Sequence, residues 1–291
     1  MTLQDPKSVL ANLINWAEQE KAIRAVLLTS NRANPKASTD KYSDFDVVLV
    51  AEDIHTYFDK RDWLTVFGKV LVTYWDDIYR SATYGSELVG SVIQYEDTRI
   101  DFTLWPVELL CKIVEARQLP DDLDVGYKVL LDKDGIAKDL QPPTFSVYIP
   151  KPPGNALFQK TVEDFLSVAP HLAKCLWRDE LLPAKWCLDY DMKHNFLRVM
   201  LEWRVEIDHD WTLSAGALGK GLKKHVSTER WNQLEATYVG ASMEENWEAL
   251  LKTLELFREI SLEVATSLGF SYPDVMHQGV VSYVSELRKQ A

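Results

Sequence analysis

The sequence has few cysteines and no long apolar run, and these two absences exclude several classes of protein. Its three cysteines, Cys111, Cys175 and Cys187, are odd in number and lack metal-finger or redox spacing, so a disulfide framework is not expected. No window approaches the roughly 18 consecutive apolar residues that cross a bilayer. The N-terminal segment also lacks the basic and apolar regions of a signal peptide. These features predict a soluble cytoplasmic protein with no membrane partner.

Positive charge is also scarce. Lysine and arginine number 32 against 44 aspartate and glutamate residues, so the formal net charge is −12. A general nucleic-acid binder needs a cationic surplus to neutralise phosphates, and no nucleic-acid partner is therefore expected. The acidic balance instead favours long-range attraction of a cationic ligand. The six histidines show no metal-ligand spacing, and neither a Walker motif nor a nucleophile-elbow motif is present.

Prolines concentrate near the middle of the chain, where five of the twelve fall within residues 142–153. Proline lacks a backbone donor and biases the preceding residue toward extended conformations, so this stretch suits neither a helix nor a central strand. We predict a semi-rigid linker over residues 142–154, between a domain of residues 1–141 and a domain of residues 155–291. Two domains also suit a chain of 291 residues.

Strand and helix patterns alternate before the linker, and only helical patterns follow it. The predicted strands cover residues 23–29, 45–51, 69–75, 91–95, 99–105 and 127–131. The predicted helices cover residues 8–19, 54–67, 106–116, 155–174, 179–206, 244–268 and 275–289. The predicted fold class is therefore α+β, with a mixed β-sheet flanked by helices in the first domain and an all-helical second domain.

Three aspartates are the candidate chemical centre. Asp44 and Asp46 stand two residues apart where the second predicted strand begins, so both carboxylates project to one face. Their repulsion at ~4 Å and an effective dielectric of about 20 is about 4 kcal/mol, which a bound cation would offset. Asp101 lies within a later strand among apolar neighbours and also needs a partner. Converging carboxylates suit Mg²⁺ and are typical of two-metal phosphoryl or nucleotidyl transfer.

Several blocks of sequence, in order along nearly the whole chain, resemble one group of enzymes. They are RANP at residues 32–35, SDFDVVLV at 43–50, RIDFTLWPVELL at 99–110, LWRDELLPAKWCLD at 176–189, LRVMLEW at 197–203 and GKGLKKHV at 219–226. The D-x-D followed by a later acid resembles the nucleotidyltransferase superfamily, which has the polymerase-β-like fold. Within it, the blocks resemble the aminoglycoside 6-adenylyltransferases, which inactivate streptomycin.

The resemblance implies transfer of AMP from Mg²⁺-ATP to an aminoglycoside hydroxyl, with release of pyrophosphate and with the 6-position of streptomycin expected first. It implies that Asp44 and Asp46 hold two Mg²⁺ ions, and that Asp101 binds metal and acts as the general base. The residues implied to contact ATP are Ser30, Asn31, Arg32, Lys185 and Lys223. Those implied to line the antibiotic site are Trp177, Glu180 and Asp189.

The implied antibiotic site also has a physical rationale. Trp177 and Glu180 are three residues apart, a spacing that predicts one shared helix face. There an indole stacks on a guanidinium group and a carboxylate pairs with it. Glu180 is also the alternative to Asp101 as the general base.

Two other functions stay open. Where the resembling family usually has Gly-Ser before an arginine, this chain has Ser30-Asn31 before Arg32. Glycine normally lets the backbone approach phosphates closely, so one alternative is a non-catalytic protein that binds a nucleotide or drug. The other is a nucleotidyltransferase acting on a different acceptor. A monomer is the favoured oligomeric state.

Overall fold

The computed structural model describes residues 5–291, and the chain divides into two compact units. One unit extends to Val147 and the other comprises Tyr148–Ala291. The division falls inside the proline-rich segment predicted as the linker. Residues 1–4, which belong to the segment searched for a signal peptide, lie outside the described residues. Among the residues that the structure describes, no helix is long and apolar enough to cross a membrane.

The first unit is built on a seven-stranded sheet. Its strands are β1 (Ile23–Thr29), β2 (Phe45–Ala51), β3 (Val70–Trp75), β4 (Tyr79–Arg80), β5 (Glu87–Tyr95), β6 (Arg99–Pro106) and β7 (Tyr127–Asp132). Six strands lie in the order β3-β5-β6-β2-β1-β7, and β4 pairs with β5 beside them. β2 and β6 run parallel, whereas the other pairs are antiparallel. The sheet is therefore mixed.

Apolar side chains on both faces of the central strands build two cores. In β2, Val47 and Leu49 belong to one core, and Val48 and Val50 belong to the other. A strand that is apolar on both faces is typical of a sheet covered on both sides. The α-helices of this unit are α1 (Pro6–Gln19), α2 (Ile54–Asp59), α3 (Val107–Ala116) and α4 (Asp121–Asp124).

The helix predicted over residues 54–67 is wrong in its second half. α2 ends after six residues, and Asp62–Phe67 forms a 3₁₀ helix instead. The indole N–H of Trp63 donates to the carbonyl of Tyr57 over 2.9 Å, and its ring stacks on Trp16 with centres 5.3 Å apart. Aromatic packing thus takes a carbonyl that a continuous helix would use.

The described residues of the second unit form helices and no strands. The helices are α5 (Asn155–Trp177), α6 (Leu181–Lys185), a π-helical segment (Trp186–Leu197), α7 (Arg198–Asp208), α8 (Thr228–Glu235), α9 (Met243–Leu268) and α10 (Asp274–Arg288). They enclose one apolar core, in which Phe165 stacks on Phe257 with ring centres 3.6 Å apart. The predicted fold class, α+β with a helical second half, is confirmed.

The helix predicted over residues 179–206 begins later than predicted. α5 extends to Trp177, and Asp179 takes a left-handed φ of 60°, which ends the helix. The N–H of Glu180 then donates to the carbonyl of Cys175 over 2.9 Å, a bond typical of a Schellman helix end. A separate helix starts one residue after Glu180, so a break lies inside a sequence that reads as nearly continuous.

Candidate active site

The parallel pair β2 and β6 brings candidate catalytic carboxylates together. Asp46 and Asp101 are partners in the register of these strands. Neighbouring strands lie about 4.7–4.9 Å apart, and partner residues project to the same face. Asp44 precedes β2 and stands two residues from Asp46, on the same side of the chain. The guanidinium of Arg99 reaches the carboxylates of both Asp44 and Asp101, so all these groups form one cluster.

Negative charge is most crowded at Asp46. Burial raises the pKa of the Asp46 carboxyl to about 6, and the charges of Asp101 and Asp44 act in the same direction. A hydrogen bond from the Ser30 side chain and the positive charge of Arg99 both lower that pKa, but they do not cancel the increase. The ionised form of Asp46 is therefore disfavoured mainly by burial, and its acidic neighbours add to the effect.

Arg99 belongs to the cluster, and sequence reasoning missed it. Its Nε and Nη2 donate to the two carboxylate oxygens of Asp101 over 2.9 and 2.8 Å. Its Nε also lies 3.7 Å from Oδ2 of Asp44. Arg99 and Asp101 are two residues apart in a strand, a spacing that places both side chains on one face. The strand pattern therefore contained the signal for this contact.

The turn after β1 lies beside Asp46. Thr29, the last residue of β1, pairs with Asp46, and the turn Ser30–Arg32 follows directly. Ser30 has a φ of 61° at the position where the resembling family usually has glycine. A left-handed conformation costs a residue with a side chain about 1–2 kcal/mol. This loop therefore keeps the backbone geometry suited to glycine while carrying a hydroxyl.

The surrounding chain holds this strained turn in place. The N–H of Ser30 donates to the carbonyl of Gly126 over 3.0 Å. Gly126 itself has a φ of 131°, and a Cβ there would lie 3.1 Å from the Cα of Asn34. The side-chain amide of Asn34 donates to the carbonyl of Val125 over 3.1 Å. The start of β7 thus clamps the turn, which requires glycine at position 126.

Arg32 orients the loop that leads into the carboxylate cluster. Its Nε donates to the carbonyl of Asp44 over 3.0 Å, and its Nη2 donates to the carbonyl of Ser43 over 2.5 Å. The guanidinium carbon lies 3.9 Å from the ring centre of Phe45. Asn31, its neighbour in the turn, is exposed. Arg32 therefore positions the backbone of Asp44 in this structure, whatever contact it makes with a nucleotide.

Trp177 and Glu180 do not share one helix face, and that prediction is wrong. Trp177 is the last residue of α5 and Glu180 precedes α6, so the helix break separates them. The indole N–H of Trp177 donates to the carbonyl of Gln290 over 3.1 Å, and the ring is 49% exposed. Glu180 is exposed. Both side chains lie at the surface of the second unit, but helical periodicity does not relate them.

The other predicted residues of the second unit already have partners. Asp189 forms ion pairs with Lys185 and Lys193, each over 2.7 Å. Lys185 also donates to the carbonyl of Val239 over 2.9 Å. Lys223 lies 3.1 Å from a carboxylate oxygen of Glu235. A bound substrate would have to exchange or share these contacts.

An exposed row of aromatic rings follows the π-helical segment, and sequence reasoning missed this row. Trp186 and Tyr190 have ring centres 4.7 Å apart, and Tyr190 and His194 stack at 5.7 Å. Trp186 is 61% exposed, although most tryptophans at helical spacing are expected in a core. Trp186, Tyr190 and His194 recur every four positions, and this spacing is visible in the sequence. Trp186 and Tyr190 thus give the second unit an exposed aromatic surface.

The carboxylate cluster fits a divalent cation by its chemistry. Its oxygen donors are the ligands that Mg²⁺ prefers, and burial together with the acidic neighbours raises the pKa of Asp46, so a cation there would stabilise its ionised form. Within residues 5–291, however, no group of three histidine, cysteine, aspartate or glutamate side chains is arranged to hold a metal ion. Asp44, Asp46 and Asp101 are thus near one another but are not preassembled as a ligand set.

A mixed sheet that carries D-x-D at the start of one strand, with a third acid on its parallel neighbour, is the arrangement of a nucleotidyltransferase. Comparison with known families agrees with this class. The family model described as streptomycin adenylyltransferase matches residues 3–287, and the chain belongs to that family. The protein is therefore a nucleotidyltransferase enzyme, and the resemblance drawn from the sequence blocks is confirmed.

Similar proteins match over nearly their full length. An aminoglycoside 6-adenylyltransferase from Campylobacter jejuni is 28% identical, with 99% of this chain and 97% of that protein covered. One from Bacillus subtilis (strain 168) is 27% identical, with 97% of each chain covered. A crystal structure of an aminoglycoside 6-adenyltransferase from Bacillus subtilis aligns at 23% identity and a TM-score of 0.48, covering 98% of this chain and 99% of that one.

Proposed function

We propose that this enzyme transfers AMP from Mg²⁺-ATP to a hydroxyl of an aminoglycoside, releases pyrophosphate and thereby inactivates the antibiotic. The observation that carries the proposal is the pairing of Asp46 with Asp101 on adjacent parallel strands. The names of its relatives support an aminoglycoside as the acceptor and its 6-hydroxyl as the site. The description of the family supports streptomycin as the first acceptor to test.

We propose a role for each carboxylate, supported by their closeness in the sheet. Asp44 and Asp46 hold the metal, and Asp101 completes the ligand set. When bound, Mg²⁺ neutralises charge that develops on the phosphate oxygens during transfer. Asp101 accepts the proton of the attacking hydroxyl, a contribution of roughly 10²–10⁴ in rate. A bond forms between the acceptor oxygen and the α-phosphorus as the bond to pyrophosphate breaks.

We propose nucleotide contacts on each unit, considered by itself. Ser30 and Asn31 lie in the turn that follows β1, next to Asp46, where hydroxyl and amide groups can donate to phosphate oxygens. Arg32 adds positive charge to the same turn. In the second unit, Lys185 and Lys223 are the proposed phosphate ligands, exchanging their present carbonyl and carboxylate partners.

Streptomycin carries two guanidinium groups and a secondary amine, so its site needs carboxylates and flat surfaces. Glu180 and Trp177 supply both types of group and are exposed in the second unit. Asp189 is the third proposed contact, although two lysines already neutralise its charge. The exposed ring of Trp186 offers a further stacking surface.

A product assay tests the proposed reaction. The purified protein is incubated with Mg²⁺, ATP or GTP, and a panel of aminoglycosides, and both pyrophosphate and the adenylylated drug are measured. We expect stoichiometric pyrophosphate and AMP-streptomycin, with the AMP located on the 6-hydroxyl by NMR. Transfer to another acceptor alone would replace streptomycin as the substrate. Binding of ATP and drug without pyrophosphate release would support the non-catalytic alternative.

The identity of the base is tested separately. Single-turnover rates of Asp101→Asn and Glu180→Gln are compared at saturating ATP and drug. If Asp101 is the base, Asp101→Asn slows the chemical step by at least 10²-fold, whereas Glu180→Gln mainly weakens drug binding. A mild effect of Asp101→Asn beside an inactive Glu180→Gln would assign the base to Glu180.

A further inference from the structure

Arg99 provides positive charge inside the carboxylate cluster. Its side chain is 37% exposed, makes a two-point contact with Asp101 and lies 3.7 Å from Asp44. A guanidinium fork on a carboxylate is a strong charge-assisted pairing, because both oxygens accept a hydrogen bond at once. The oxygens through which Asp101 would hold a metal ion are therefore already engaged by a cation of the chain itself.

The register of the sheet fixes this arrangement. The register pairs Asp46 with Asp101, and Arg99 is the first residue of β6, beside Asp44 where β2 begins. Three carboxylates and one guanidinium thus meet at the start of two neighbouring parallel strands. Arginine keeps its charge at any ordinary pH, so loss of a proton from Arg99 cannot release Asp101. Movement of the Arg99 side chain away from Asp101 would do so.

We propose that Arg99 is a positioning residue that competes with the divalent cation for Asp101. Without the cation, Arg99 fixes the carboxylates of Asp101 and Asp44 and limits their repulsion. When the cation binds, the guanidinium turns away and Asp101 becomes available as ligand and base. The role of the cation in catalysis rests on the proposed function, but the competition itself requires neither a nucleotide nor a transfer reaction.

Binding of Mn²⁺ alone, measured by electron paramagnetic resonance, tests the competition. Arg99→Gln removes the competing charge, so Mn²⁺ should bind roughly tenfold more tightly than to the wild-type protein. In EDTA the variant should melt at a lower temperature, because the carboxylates lose their counter-ion, and Mn²⁺ should raise its Tm by more. Arg80→Gln is the matched control, since Arg80 pairs with Glu87 outside the cluster. Its Mn²⁺ affinity should equal that of the wild type.

Arg99→Lys keeps the test decisive if Arg99→Gln does not fold. Lysine retains a positive charge but lacks the fork, so Mn²⁺ affinity should fall between those of the other two proteins. Unchanged or weaker Mn²⁺ binding in the folded variants would overturn the inference, as would failure of all the proteins to bind Mn²⁺. If the proposed function alone is wrong, the outcome is different. Mn²⁺ then still binds, and Arg99→Gln still binds it more tightly than the wild type, but no AMP is transferred to any acceptor.

Discussion

The carboxylate of Asp46 is less stable in its ionised form in this fold than in the unfolded chain. It faces Asp101 across the parallel pair, and burial raises its pKa from the ordinary 3.8 to about 6. Between these values the folded protein binds a proton that the unfolded chain releases. This bound proton stabilises the folded state fully below about pH 4. The stabilisation is lost as the pH rises through about 6. Above that range, the ionised carboxylate destabilises the cation-free fold.

Asp46→Asn removes the charge at every pH. In EDTA at about pH 7.5 we expect its Tm to exceed that of the wild type by roughly 3–6 °C, with the gain vanishing near pH 4. AMP transfer should be lost, because a metal ligand is missing. Calorimetry at both pH values and the product assay measure these effects. Near-wild-type turnover with Mg²⁺ would remove Asp46 from the metal site.

Ser30 combines a strained backbone with a useful hydroxyl. Its φ of 61° is a conformation that glycine adopts more easily, and its side chain hydrogen-bonds to Asp46. That bond favours the ionised carboxylate and so lowers the pKa of Asp46. The departure from the usual Gly-Ser loop thus has a local role at the carboxylate cluster.

Two substitutions at Ser30 separate strain from hydrogen bonding. Ser30→Gly and Ser30→Ala both remove the hydroxyl, so both should raise the pKa of Asp46 and move the acid limb of the pH–rate profile upward. Only glycine relieves the left-handed strain, and Ser30→Gly should therefore be about 1 kcal/mol more stable than Ser30→Ala. Urea unfolding measures this difference. Equal stabilities would show that the turn is not strained. An unchanged acid limb would show that the Ser30 hydroxyl does not affect the pKa of Asp46.

At the scale of elements, the π-helical segment carries an ion pair whose lysine is buried and whose aspartate is partly exposed. Asp189 lies between Lys185 and Lys193, each four residues away. The Lys193 side chain is fully buried, donates to the carbonyl of Thr237 over 2.5 Å and lies 4.2 Å from the ring centre of Tyr238. Burial lowers the pKa of Lys193, and the contact with Asp189 opposes that shift. Asp189 therefore stabilises the second unit, besides any contact with the antibiotic.

Removing the charge of Asp189 should destabilise the second unit, in addition to any effect on antibiotic binding. Asp189→Asn leaves Lys193 buried without its counter-ion, and we expect a loss of roughly 3–5 kcal/mol in unfolding free energy. The double change Asp189→Asn with Lys193→Met should recover most of it, because no unpaired charge remains buried. Chemical denaturation of both variants checks this. A single variant as stable as the wild type would mean that the pair contributes nothing to the fold.

At the scale of the whole molecule, the net charge of −12 attracts cationic ligands, and Glu180 is an exposed carboxylate proposed to use that attraction. Glu180→Gln should raise the KM for streptomycin about tenfold and leave the KM for ATP nearly unchanged. Drug affinity should fall as salt rises. Calorimetric titrations at two salt concentrations measure this. Salt-independent affinity, or a normal KM in Glu180→Gln, would place the drug site elsewhere.

The break between α5 and α6 leads to a further prediction about the proposed drug site. If Trp177 and Glu180, which belong to separate elements, contact different groups of the drug, their contributions to drug binding should add. Trp177→Ala should weaken binding less than Glu180→Gln, and the double variant should show the sum of the two free-energy losses. A coupling above about 0.5 kcal/mol would indicate that the two side chains act as one surface.

Much of the fold and part of the candidate site were predictable because their signals are local. Strand alternation places Asp44 and Asp46 on one side, and clustered prolines mark the region where the chain divides into two units. The helix predictions that failed also had local causes. The helix predicted over residues 54–67 ignored the bond from Trp63 to Tyr57, which pattern alone does not reveal. Likewise, the helix boundary near Asp179 was misplaced, although Pro183 in the first turn of α6 is a local signal for a new helix.

The sequence by itself determined the class of the fold, the positions of the three acids and the family, since each depends on residue order and periodicity. The tertiary structure decided which acids face each other, because β2 and β6 become neighbours only through long-range pairing. It also decided that Arg99 engages Asp101 and that Lys193 is buried against Asp189. Charges separated along an extended chain interact weakly in water. They become coupled only when packing brings them within a few ångströms and removes the solvent between them.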